Sequence, residues 1–420
     1  MRRLLLLFCV FLSASGVEAA IYYVATTGSD SNSCTQSSPC RTIAKGRTML
    51  ASGDTLYIRS GTYFESIFVQ TSNNLPSGSS WNTATIIAGY PGETVTLTGN
   101  FDFNFAIGGP PGLARYIIIE NFIFDGGSIG ALGCGHPVDM SCGPHFIRWQ
   151  NLEFKNNLHV AVGNGFGASD LEYLNIFVHD QGTTRLTHAF YVGSPRSLYD
   201  NVHTRNTQGY GMHMYDEDPQ CAGQCNTDSI IRNSRFEQSH GDGAVTMNHG
   251  ANMQFYNNIV YNNDHGGLAG ICYGAMTNNT QVYNHTFYGN SGSAIATCAG
   301  GGVTNTVIKN NLFHNNVNNI DDRGVGSVFA NNLCGSLGPH CEVVGDPAFT
   351  DAAAGDFTLQ ASSAARNAGV TLTTFNTDRI GTPRPQGSAW DIGAYESPEG
   401  GGQPPPGPPL YVGSTSENVR

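Results

Sequence analysis

The stretch Met212-His213-Met214-Tyr215 alternates apolar and polar side chains. In an extended strand that parity sends the two methionines to one face and His213 and Tyr215 to the other. Val245-Thr246-Met247-Asn248 and Phe190-Tyr191-Val192 alternate in the same way. If the three segments lie side by side, Tyr191, His213 and Thr246 form one outward column and Tyr215 and Asn248 a second beside it. Cys272 and Cys298 continue the second column. The flanking turns add Asp216-Glu217-Asp218, His240-Gly241-Asp242, His249 and Asp264-His265. Imidazole, phenol and carboxylate groups move protons, so His213, Tyr215, Tyr191, His240 and Asp242 are candidate catalytic residues. Thr246, Asn248, His249 and His265 are candidate substrate contacts. The carboxylates of Asp216, Asp218 and Asp264 suit calcium, which accepts oxygen ligands in flexible geometry. Paired Asp residues would instead serve hydrolysis of a glycosidic bond.

Something must stack those strands, and a repeated phrase does. It runs apolar, any residue, Asn, two residues, then apolar or aromatic. Ile231-Arg-Asn233 leads to Phe236, Phe255-Tyr-Asn257 to Val260, Val282-Tyr-Asn284 to Phe287, and Ile308-Lys-Asn310 to Phe313. The full series is Asn121, Asn151, Asn175, Asn201, Asn233, Asn257, Asn284, Asn310 and Asn331. Its steps are 30, 24, 26, 32, 24, 27, 26 and 21 residues, a solenoid period. The runs between asparagines are too short for helices and rich in β-branched and aromatic residues. Gly, Asn, Asp and Ser supply the turns. Nine such positions stacked at strand spacing span about 38 Å. Amide can meet amide along the column.

The pattern resembles the right-handed parallel β-helix of the pectate-lyase-like superfamily, in which a buried asparagine ladder occupies one turn. The resemblance covers residues 55–345. It implies an all-β solenoid of roughly ten or more coils. It also implies a substrate groove along the face that carries His213. In a uronic-acid lyase, a base takes the C5 proton and a second group neutralises the carboxylate. Asn226-Thr227-Asp228 is similar to a polygalacturonase motif. That family's Asp-Asp doublet, Gly-His-Gly and Arg-Ile-Lys do not follow, so its residues are not carried over. Three functions follow as expectations: a polysaccharide lyase or epimerase, a polysaccharide hydrolase using paired Asp, and a non-catalytic surface or adhesive solenoid.

Composition narrows the class. Charged residues are 12% and glycines number 53 of 420, with a formal net charge of −12. The three lysines are Lys45, Lys155 and Lys309. This excludes the basic footprint of a nucleic-acid binder. An anionic polysaccharide would be repelled unless a local arginine or a cation intervenes. Residues 1–19 read as a signal peptide: Arg2 and Arg3, an apolar core from Leu4 to Leu12, and small residues at Val17 and Ala19. The apolar run is too short to span a bilayer. The expected protein is secreted, monomeric and bound to a polysaccharide or surface glycan.

Ten further cysteines fall into neighbouring sets: Cys34/Cys40, Cys134/Cys142, Cys221/Cys225, Cys272/Cys298 and Cys334/Cys341. In an exported chain an even count reads as disulfides. Cys272 and Cys298 are one coil apart. Residues 20–396 read as one domain with an N-terminal helical cap and a C-terminal cap. In the first, Thr42 caps a helix through Leu50. The second carries Asp378-Arg379, Arg384-Pro385 and Asp391-Ile-Gly-Ala-Tyr-Glu396, expected to pair structurally. The tail 397–420 is Gly/Pro-rich linker sequence.

Overall fold

The computed structural model describes residues 19–65, 67–69, 75–98, 105–108, 114–132, 143–165, 167–214, 225–271, 277–297 and 302–398. The signal-peptide stretch, nearly all of the tail, Cys134, Cys142, Cys221, Cys272, Cys298, Tyr215, Asp216 and Asp218 therefore lie outside the described residues. Among the described residues no helix is long and apolar enough to cross a membrane.

The chain is a parallel β-helix. One sheet collects ten strands, one per coil, from Ile67–Val69 through Phe190–Val192, Met212–Met214 and Gly243–Met247 to Asn318–Asp321. A second collects twenty. Every pairing in both is parallel, so the hydrogen bonds run from coil to coil. The Asn phrase sets the register. Ile231 pairs with Phe255, Phe255 with Val282, and Val282 with Ile308. Phe236, Val260, Phe287 and Phe313 form the next column. All eight are fully buried. Stacking like on like gives the interior its packing, with Phe287 and Phe313 rings parallel at 5.3 Å.

Each Asn of the series sits at a corner in the left-handed region, with φ between 53° and 64°. Asn tolerates that backbone better than other residues with a side chain. The ladder expectation holds for Asn257 and Asn284, which are buried and linked to Asn233 and Asn310, while the earlier members of the series are half-buried. A left-handed corner turns the Asn side chain outward and the following residue inward. The interior ladder is therefore one position later, at Ser234, Asn258, His285, Asn311 and Asn332, all fully buried. Asn258 Oδ1 accepts the Ser234 N–H at 2.7 Å, and its Nδ2 donates to Ile231 O at 3.0 Å. Asn311 and Asn332 repeat the pattern. A second inner ladder runs through Asn263, Asn290 and Asn316. Its preceding corner holds Asn262, Gly289 and Asn315. A Cβ on Gly289, at φ 64°, would lie 2.5 Å from Asn262 Oδ1.

The outer series still forms amide links. Asn151 donates to Asn121, Asn175 to Asn151 and Asn201 to Asn175, at 3.1, 3.0 and 2.9 Å. The ladder breaks at Asn233, which donates to Asp200 instead. Asn257 and Asn284 are buried, because another segment covers them.

That segment is the C-terminal one. After Val343–Val344 joins the last coil, the chain runs back along the outside of the solenoid. Phe357 and Ala394 cover Ile259 and Tyr261. Leu359, Ala365 and Ile392 cover Leu312 and Leu333. Arg384 and Glu396, both fully buried, pair at 2.9 Å. Arg384 Nη1 also donates to Asp391 O and its Nη2 to Gly393 O. The segment thus straps the side of the solenoid as well as following its end. At the other terminus the helix is only Ile43–Arg47. Thr42 Oγ1 accepts the Lys45 N–H at 3.0 Å. It stops three residues short of Leu50, with Thr48 Oγ1 turned back onto Lys45 O. Cys34–Cys40 and Cys334–Cys341 are disulfides, and Cys225 is also disulfide-bonded. Ile271 and Thr297, which precede Cys272 and Cys298, are register partners.

Candidate functional site

Met212 and Met214 are fully buried, as are Phe190, Val192, Val245 and Met247. Their neighbours are therefore forced to the outer side. Tyr191 pairs with His213, and His213 with Thr246. Exposure varies along the column. Tyr191 is 38% exposed, while Thr246 is 3% exposed. Asn248 is 1% exposed and donates to Thr246 Oγ1 at 2.8 Å. Thr246 and Asn248 are outward in register yet closed to solvent. The turn at Asn226 packs against this end, its side-chain amide on Asn248 O and its N–H on His249 O. Above Thr246 the column continues at Gly270 after a one-residue bulge. Below Tyr191 it continues at Gly163 and Gly130. The aromatic and imidazole groups are thus flanked by glycines.

Two residues that parity did not single out complete the group. His188 precedes its strand by two residues, and Tyr210 precedes Met212–Met214 by two. His213 lies 4.5 Å from His188, 5.2 Å from Tyr191 and 4.8 Å from Tyr210, centroid to centroid. The Tyr210 and His213 rings stack, as do His188 and Tyr191. His188 Nδ1 accepts the Tyr210 N–H at 3.0 Å. The neutral ring therefore carries its hydrogen on Nε2. Burial holds His188 down to about 4 and His213 down to about 3, where the neighbouring His188 adds to the effect. Both rings are neutral at ordinary pH. A hint of His188 was present in the sequence: Thr187-His188-Ala189 leads into Phe190 just as Tyr210-Gly211 leads into Met212.

The other predicted residues occupy the flanks. His240 Nδ1 lies 2.6 Å from Asp264 Oδ2, and its Nε2 lies 3.2 Å from Asn206 Oδ1. This ties His240 to the adjacent corner. Asp242 forms an exposed ion pair with Arg185. His249 occupies a left-handed turn at φ 56°, and His265 is exposed just before Gly266–Ile271. Asp242 and Asp264, two of the carboxylates expected for hydrolysis, are thus paired with Arg185 and His240 respectively. Among the described residues no group of three or more His, Cys, Asp or Glu could hold a metal ion. Asp216 and Asp218, two of the three carboxylates expected to hold calcium, lie outside the described residues.

A separate ionisable group lies on the twenty-strand sheet. His203 Nε2 and Glu237 Oε1 are 2.5 Å apart, and Tyr261 and Arg235 complete the cluster. Arg235 also donates to Gly355 O of the strap at 3.3 Å. Hydrogen bonds and charge from His203 and Arg235 outweigh burial and hold Glu237 at about 2. This cluster anchors the strap.

No protein-family model matches the sequence, and no curated protein is similar to it. Solved structures do resemble it. A pectate lyase, Pel9A, superposes with a TM-score of 0.59 at 16% identity, over 91% of this chain and 97% of that one. A rhamnogalacturonan lyase gives 0.44 at 12% identity, over 79% and 91%. A GH136 lacto-N-biosidase from Eubacterium ramulus gives 0.47 at 10% identity, over 74% and 68%. At these identities the likeness is one of fold.

Proposed function

With the pectate-lyase-like parallel β-helix as its scaffold, we propose that this chain binds a uronic-acid-containing polysaccharide across the face bearing Tyr191 and His213. There it cleaves or epimerises the polymer by proton abstraction. One observation carries the reading. Two imidazoles held neutral by burial pack against two tyrosines, and one of those tyrosines, Tyr191, opens to solvent. An aromatic face suits the apolar side of a sugar ring. A neutral imidazole has the lone pair that a general base needs. A bound carboxylate beside His213 would raise its affinity for a proton, because an opposite charge favours the imidazolium.

In the lyase reading, His213 takes the proton from the carbon next to the carboxylate. Those electrons form the new carbon–carbon double bond as the bond to the glycosidic oxygen breaks. The departing oxygen takes a proton from the Tyr191 hydroxyl, which the His213 imidazolium restores through water. In the epimerase reading the carbon regains a proton on its opposite face, from Tyr191. Arg185 answers the charge objection. It is exposed and lies three residues before His188, and its partner Asp242 is also exposed. It can exchange that partner for a substrate carboxylate. The disulfides agree with an exported protein, which is the compartment that the signal-like residues 1–19 call for.

The test is a panel of uronic-acid polysaccharides with ultraviolet detection of the new double bond and deuterium incorporation from solvent. The wild-type chain should give one signal or the other. His213→Gln and Tyr191→Phe should each abolish it while the fold, followed by circular dichroism, persists. New reducing ends without absorbance would mean hydrolysis. Binding without turnover would leave a non-catalytic solenoid. Either result overturns the proposal.

A further inference from the structure

A ladder amide has two N–H donors. In the C-terminal half of the outer ladder, the amides spend donors on the strap. Asn257 Nδ2 donates to Asn233 Oδ1 at 3.5 Å and to Thr377 O at 2.9 Å. Asn310 Nδ2 donates to Asn284 Oδ1 at 3.2 Å and to Val370 O at 2.8 Å, and its Oδ1 accepts the Val370 N–H at 2.9 Å. Asn284 donates to Asp391 O and Gly393 O, and Asn331 to Ala368 O. At Asn257 and Asn310 one hydrogen runs along the ladder. The other meets a main-chain carbonyl of the polypeptide laid across it.

The same corner continues at Asn121, Asn151, Asn175 and Asn201, with the same left-handed backbone and the same amide links. Here the asparagines are only half-buried. Asn151, Asn175 and Asn201 each give one hydrogen to the preceding amide, and among the described residues none takes the second. Among the described residues the strap stops at the break between these halves. Arg379 reaches Asn233 O at 3.0 Å, and Arg232 pairs with Asp200 at 2.7 Å. Outward neighbours on either side of the uncovered ladder include Leu174 and Phe177, both partly exposed.

We infer that the uncovered amides of Asn121, Asn151, Asn175 and Asn201 are a docking track for an extended polypeptide segment of a partner protein. Its main-chain carbonyls would be held as those of Ala368, Val370 and Thr377 are held on the later coils. The track continues an interface that the chain already makes with itself. It offers donors at strand spacing, about 4.8 Å apart. The strap meets its donors in this way, with main-chain carbonyls of a segment laid across the coils. The inference does not depend on the polysaccharide reading, since these residues lie on a different corner from His213.

The probe is a labelled peptide with the sequence of residues 364–379, added to the full chain. Saturable binding is expected. Asn151→Asp with Asn175→Asp removes the two outward donors, together with the two ladder links those amides donate, while keeping residues that accept the left-handed turn. Binding should weaken by about tenfold or more, and Asn305→Asp on another corner should leave it unchanged. A photo-crosslinking residue at Leu174, in an otherwise native chain, should label the peptide. That arm decides the matter if the double variant fails to fold. The absence of binding would overturn the proposal, as would equal binding by a folded double variant or failure of the Leu174 crosslink. Displacement of the peptide by an oligosaccharide that itself occupies the track would replace the peptide with a glycan, and so would overturn it too.

Discussion

At the scale of single residues, histidine burial decides how the molecule responds to acid. His285 is fully buried. Its Nδ1 accepts the Asn258 N–H at 3.0 Å, and its Nε2 donates to Phe255 O at 2.7 Å. Burial lowers it to about 3 from an ordinary 6.5. His188 and His203 lie near 4 and His213 near 3. A histidine with a depressed folded pKa binds its proton more readily when unfolded. Its contribution is therefore full above pH 6.5 and is lost as pH falls towards the folded value. Urea midpoints should fall steadily from pH 7 to pH 4. Asn occupies the same inner position at Asn258, Asn311 and Asn332, so His285→Asn should fold. It should flatten that slope by up to about 1.4 kcal/mol per pH unit. An unchanged slope would contradict the assignment. His213 is also far less exposed than parity alone implies, so His213→Ala should lower the melting temperature as well as any activity.

At the scale of the element, a coil is a set of short strands joined by left-handed corners. Each corner separates an outward residue from an inward one. The inward amide satisfies two main-chain groups that would otherwise be stranded in the interior. Asn258→Ala takes away the acceptor of the Ser234 N–H and a donor to the Ile231 carbonyl, and should cost about 1–3 kcal/mol. Asn175→Ala removes two half-exposed outer links, to Asn151 and from Asn201, and also strains a left-handed turn. Its cost should be the smaller of the two. Parallel urea titrations measure both. The opposite order would mean that the outer ladder carries the stability.

At the scale of the whole molecule, the strap makes one body of the later coils. Its hold is apolar along Leu359, Ala365 and Ile392, and aromatic where Phe375 stacks on Tyr256 at 4.4 Å. Its own shape depends on Arg384, whose guanidinium sits between Glu396 and two carbonyls. Removing one member of a buried pair leaves a charge without compensation. Arg384→Met should therefore cost about 3–5 kcal/mol. Proteolysis should then release the segment after residue 345 before the solenoid unfolds. Retention of the strap at wild-type stability would show that the apolar contacts alone hold it.

Periodicity determined the architecture because a solenoid repeats one local rule. Side-chain parity along Ile231, Phe255, Val282 and Ile308, with an Asn at a fixed offset, is enough to stack the coils. The same parity placed Tyr191, His213 and Thr246 in one column, since buried Met212, Met214 and Val245 leave their neighbours no other side. Parity is blind to what covers a face. It did not show that Thr246 and Asn248 are closed off, that Asn206 and Asp264 hold His240 on a corner, or that His188 and Tyr210 close around His213. It also did not show the additional inner ladder one residue later, because the sign of φ at Asn257 or Asn310 decides which of two adjacent amides turns inward. Those outcomes depend on contacts between residues as far apart as Asn233 and Arg379, and only the tertiary structure brings such pairs together.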